Sequence, residues 1–166
     1  MSNVTIKYSK LNAKNVSFTD LDDNSRVPSQ KIAYPRYKTS SGDSNFLIQS
    51  PWILLDNYGI PNEGPYYQTD KARSFIKVPL NINDPEVKVF RDKLVEIDEQ
   101  INGSKVDIFG SSKTAKKYQY QPIVRTPQVF LDSEEENDDD EDDSKTNADQ
   151  SDRPEYIKVK LTISMI

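Results

Sequence analysis

Apolar and polar residues alternate from the start of the chain, over Asn3-Val4-Thr5-Ile6-Lys7-Tyr8, with the period of two that gives a strand one buried face. Short strands are also expected over Lys31 to Lys38 and over Asn45 to Ser50. Pro35 has no N–H to donate, so the first of these is expected at an edge or broken by a bulge. Leu21 to Pro28 and Ser40 to Ser44 read as turns. Arg73 to Ile82 alternates most cleanly, with Ile76, Val78, Leu80 and Ile82 on one face and Phe75 and Lys77 on the other. Tyr156 to Ile166 alternates up to the last residue, as expected of an N-terminal piece of a longer protein.

One segment carries the helical period. Val87, Phe90, Leu94, Ile97 and Ile101 form a single apolar stripe, Asp84 supplies an N-cap and Pro85 suits the first turn. Asn102-Gly103 is expected to stop the helix in the left-handed conformation, and the charged face from Lys88 to Glu99 to be solvated. Pro51-Trp52-Ile53-Leu54-Leu55 is the most hydrophobic stretch, and Trp52 is expected to anchor the core. Asn57 to Asp70, with two glycines and two prolines, reads as a loop, and Lys105 to Lys117 as a basic and partly mobile connection. The order predicts a mainly β fold with one long α-helix: an OB-like barrel with an acidic disordered insertion.

Charge changes this picture. From Asp132 to Asp152 there are twelve acidic residues and one lysine, a local net charge of −11. The rest of the chain keeps 15 of its 27 acids and 21 of its 22 bases, so it is net +6 although the whole chain is −5. The organisation expected is a body over 1–131, an acidic disordered segment over 132–154 and a returning strand of the same domain over 155–166. A positive body carrying its own polyanion suggests an anionic ligand.

The chain has no cysteine and no histidine, which removes disulfides, thiol catalysis and the commonest general base and metal ligand. A non-enzymatic protein without cofactor or metal is expected. Phosphate-loop and dinucleotide glycine signatures are missing. Asp138 to Asp143 lacks the glycine and the spacing of a calcium loop. A carboxylate nuclease would need Asp84, Glu86 and Asp92 gathered on ordered strands, whereas they fall on a helix surface. No stretch approaches the roughly 20 apolar residues of a membrane span, so a soluble intracellular protein without membrane contact is expected.

The positive signal is the interleaving of bases with aromatics. It recurs in Tyr34, Arg36 and Tyr37, in Tyr66, Tyr67, Lys71, Arg73 and Lys77, and in Lys116, Lys117, Tyr118 and Tyr120. Single-stranded nucleic acid is held by such pairs, cations tracking the phosphates and rings stacking on the bases. These twelve residues are the candidate groove as a set. Taken singly, each tyrosine is equally at home as a strand residue covering a small sheet. The competing reading is a virion structural or assembly protein whose acidic segment docks a basic partner.

Phe75 to Leu80 followed by Asp84-Pro85 and the helix, the preceding Ser50-Pro51-Trp52, and Tyr120 to Arg125 followed by acids and Tyr156 to Leu161 also carry a resemblance. Over about Phe46 to Leu161, the chain resembles OB-fold single-stranded-DNA-binding proteins of short-tailed phages. It resembles more closely a DNA-binding family of large nucleocytoplasmic DNA viruses. The resemblance implies a viral protein of DNA replication, recombination or repair that coats single strands, DNA or RNA, at the replication site or packaged in the virion. It also implies homodimerisation and recruitment of replication proteins through acidic residues 132–143. In the phage family the acids form a C-terminal tail; here they lie between two expected strands. No catalytic residue is implied.

Overall fold

In a computed structural model of the chain, residues 3–56, 58–65, 67–127 and 153–161 are described. Tyr66, most of the acidic segment and the last five residues of the expected closing strand lie outside them. The chain divides into two compact units, Met1–Ile53 with Ile82–Val124, and Leu54–Asn81 with Arg125–Ile166.

In the first unit, β1 (Asn3–Lys7), β2 (Val16–Phe18), β5 (Pro35–Thr39) and β6 (Gly42–Gln49) form a sheet in the order β1-β6-β5-β2. β1 runs parallel to β6, which is antiparallel to β5, and β5 is antiparallel to β2. The Ser40 to Ser44 turn is realised with Gly42 at φ +112°, a left-handed value that a side chain resists. The expected strand over Lys31 to Lys38 is two strands. β4 (Lys31–Ile32) pairs with β3 (Asp22–Asp23) inside the expected Leu21 to Pro28 turn, and Pro35 opens β5. At that first position its missing N–H costs little.

Helix α1 (Pro85–Gly103) begins as its sequence dictates. The Asp84 carboxylate accepts from the Glu86 and Val87 amides at 2.9 and 3.2 Å. Val87, Phe90, Leu94 and Ile97 are buried, each contributing about 1.5–3 kcal/mol relative to exposure. Ile97 joins a core of Ile6, Leu11, Ala13, Val16 and Tyr37, against which Val4, Phe18, Phe46, Ile48 and Ile101 pack. The stop differs from expectation. Gly103 stays within the helix and Ser104 caps it with φ −89°. Lys105 to Lys117 is not an open connection, because α2 (Lys105–Phe109) and α3 (Ser112–Ala115) occupy it. The left-handed glycine is Gly110, at φ +70° after α2.

In the second unit, β7 (Phe75–Pro79) pairs antiparallel with β8 (Tyr156–Lys160). Gly59 bridges to Lys77 on the outer side of β7, and Arg125 to Tyr156 on the outer side of β8. Ile76 and Val78 share one face and Phe75 and Lys77 the other, as expected, but burial is a correction: Phe75 and Leu80 are buried, Ile76 and Val78 only partly, and Ile82 is 56% exposed. Strand β7 ends at Pro79, so the two-residue period does not carry through to Ile82. Trp52 is corrected too. It is 95% exposed and Leu54 is 84% exposed, in a segment that joins no strand, so alternation gives it no inward face. The fold is mainly β with few helices, and its sheets are open among the described residues.

Candidate nucleic-acid interface

The β7–β8 pair fixes which side chains share a face. Register places Phe75 opposite Lys160, Lys77 opposite Lys158 and Pro79 opposite Tyr156. All six side chains therefore emerge on one face of the ribbon, and the Arg125 bridge to Tyr156 adds a fourth cation beside them. Ile76, Val78, Ile157 and Val159 take the other face.

Lys77 and Lys158 face each other directly across the ladder, an arrangement that is unfavourable for like charges without an anion between them. No described carboxylate forms an ion pair with Lys77, Lys158, Lys160 or Arg125. Lysine ammoniums lie over rings instead: Lys158 Nζ is 3.7 Å from the Phe75 ring centroid and Lys77 Nζ is 5.1 Å from that of Tyr156. The Lys158 ammonium has its pKa lowered, first by desolvation and then by Arg125 and Lys77.

The rings form two pairs. Tyr58 and Tyr156 tilt together at 5.6 Å, and Tyr67 meets Phe75 edge-on at 5.6 Å. The Tyr58 hydroxyl donates to the Pro154 carbonyl, which ties the 58–60 loop to the start of β8. Burial raises the Tyr58 phenol's pKa, with Arg153 opposing.

The twelve sequence-predicted residues are scattered by this geometry. Lys77 stands at the centre of the ribbon face, and Tyr67 joins through Phe75. Lys71 is exposed in the turn before β7. Arg73 pairs through one terminal guanidinium nitrogen with Asp70 three residues earlier, while its Nε is buried without a hydrogen-bond partner among the described residues. Tyr66 lies outside the described residues.

In the first unit, Tyr34 is 58% exposed, and Arg36 donates to the Asn45 side chain. Tyr37 is a core residue at 8% exposure. Its hydroxyl accepts from the Asn12 amide at 3.2 Å, so its ring is not free to stack on a base. Lys116 and Lys117 are exposed, and Tyr118 stacks on Phe109. Tyr120 donates to Asp98 at 2.7 Å, and burial followed by that bond pushes its pKa up. Asp98 also accepts from the Ile123 and Val124 amides, which anchors this segment to α1.

Sequence reasoning missed Tyr58, Phe75, Arg125, Tyr156, Lys158 and Lys160 as functional candidates. The alternation Tyr156-Ile157-Lys158-Val159-Lys160, read with Phe75-Ile76-Lys77, holds the signal once the strands are paired. The carboxylates of a nuclease reading have structural partners. Asp84 caps α1, Glu86 accepts from the Tyr8 hydroxyl, and Asp92 pairs with Lys88, which lowers the Asp92 pKa. Among the described residues no group of three or more acidic side chains converges as a metal site, and no helix is long and apolar enough to cross a membrane.

No family model matches the chain, and no solved structure matches it. It is 27% identical over 116 residues to an uncharacterized protein of Acanthamoeba polyphaga mimivirus, an alignment covering 66% of this chain and 29% of that protein. The chain thus spans less than a third of the length of this viral relative.

Proposed function

We propose that the chain binds single-stranded nucleic acid without sequence preference, and that it serves viral DNA replication, recombination or repair. The observation that carries this reading is the directly opposed pair Lys77 and Lys158, flanked by Lys160, Arg125 and the rings of Phe75 and Tyr156. Like charges across a ladder weaken it, and a phosphodiester lying along the face reverses the sign of that interaction. Bases reach the half-buried Tyr156 ring by stacking, which tolerates any sequence, whereas the buried Phe75 ring holds the Lys158 ammonium above it. The OB-like barrel expected from the element order belongs to this proposal, as do the homodimer and the recruitment of replication proteins by acidic residues. The viral relative supports the setting, and being uncharacterized it adds nothing about activity.

The test is fluorescence anisotropy of a labelled strand of about 30 nucleotides at several salt concentrations. Log affinity is expected to fall with log salt at about −0.7 per phosphate contacted. Lys158→Glu turns a repulsive pair into an attractive one, so it is expected to weaken strand binding at least tenfold while the protein stays folded. Absence of binding at low salt, or full affinity in Lys158→Glu, overturns the reading and favours the virion assembly role.

A further inference from the structure

A cleft of about 810 Å³ opens in the first unit, within the range of about 300–1,000 Å³ that small-molecule sites occupy. It lies between β2, β4, the junction of α1 with α2 and residues 117–121, so it is built from four separate stretches of chain. Nothing in the ribbon face of the second unit contributes to it. We infer that this cleft is a distinct binding site for a single nucleotide, with a base that carries an exocyclic amine.

Three features point to that class of ligand. Phe109 and Tyr118 line the cleft as a parallel stack, 4.8 Å between centroids and 5° between planes, and neither ring is fully buried. A parallel pair presents a flat end on which a third planar system stacks. Lys105 and Lys117 also line it, and no described carboxylate pairs with either, whereas Lys31 on the same lining is held by Asp23. Two ammoniums without an ion-pair partner among the described residues, beside a ring stack, suit a base joined to a phosphate. Asp107 makes the lining mixed rather than purely cationic. A carboxylate accepts from an amine and repels a carbonyl oxygen, so adenine and cytosine are favoured over thymine. A long polyanion gains little from such a lining, whereas one small ligand with a donor edge and an anionic tail satisfies both signs. This inference does not rest on strand binding by the second unit.

Isothermal titration calorimetry of the whole chain with AMP, TMP, adenosine and inorganic phosphate tests it. Saturable AMP binding is expected, with TMP, adenosine and phosphate each at least fivefold weaker. Lys105→Glu with Lys117→Glu is expected to weaken AMP at least tenfold. These side chains are at the surface and outside the core, so folding is retained, and circular dichroism checks this. Tyr118→Ala should weaken AMP and adenosine alike, which a purely electrostatic site does not do. Lys158→Glu should leave AMP binding unchanged while it weakens the 30-nucleotide strand, so failure of one site is read separately from failure of the other. The inference is overturned by absence of saturable AMP binding, by phosphate binding as tightly as AMP, or by AMP affinity that falls in Lys158→Glu but not in the double variant.

Discussion

The two units supply their tyrosines with different amounts of core. In the first, three tyrosines are structural: Tyr8 donates to Glu86, Tyr37 accepts from the Asn12 amide and Tyr120 donates to Asp98. Twelve of the fourteen buried apolar residues described belong to this unit, so its rings have a core to join. In the second, only Phe75 and Leu80 of that group are buried; Tyr156 and Phe75 lie under lysine ammoniums, and Tyr58 and Tyr67 pack against those two rings. An aromatic beside a base in sequence is therefore not yet a site. It becomes a candidate where the ring stays partly exposed, as Tyr156 does, and no described carboxylate pairs with the cations across the ladder.

The comparison breaks hardest in the core. Leu94→Ala is expected to destabilise the first unit by about 2–5 kcal/mol through the cavity it leaves. Denaturant unfolding followed by circular dichroism measures this, and an effect below about 1 kcal/mol means Leu94 does not fill the core as its burial indicates. Next in size is a contrast between tyrosines. Tyr156→Ala is expected to cost about 1–3 kcal/mol of strand affinity by the loss of one stacking surface, while Tyr37→Phe leaves anisotropy titrations unchanged. Equal losses would merge the two classes of ring.

Capping gives a smaller effect. Asp84→Ala removes acceptance from two amides and is expected to cost about 1 kcal/mol in thermal or denaturant melts, with strand affinity preserved.

The smallest effect is in pH. The folded pKa of Tyr120 is raised above its ordinary value of 10.0, because burial and Asp98 favour the neutral phenol. The stability that this supplies is fully present below that value. It declines as pH rises past it, where the unfolded chain releases the proton and the folded chain does not. Tyr120→Phe is expected to flatten the stability profile above about pH 10, and an unchanged slope rules out that coupling.

Much of this was legible in the sequence. The strand at Asn3 to Lys7, the Asp84 cap, the buried stripe from Val87 to Ile97 and the returning strand at Tyr156 follow from period and capping chemistry, which are local. Trp52 was not legible, since hydrophobicity states a preference for burial and supplies no neighbour. Nor was the choice of buried face in β7: alternation separates Phe75 and Lys77 from Ile76 and Val78, but what covers Phe75 is Tyr67 and the Lys158 side chain of β8, about eighty residues further along.

The sequence by itself determined that this is a chain without cysteine or histidine, with a helix of fixed start and a positive body carrying a polyanion. Those are properties of composition and of residues within a few positions of each other. Tertiary structure alone decided that Lys77 meets Lys158, that Tyr37 is core and that Phe109 stacks on Tyr118. Register between distant strands and the supply of core volume are set by the whole chain's packing, so no window along the sequence contains them.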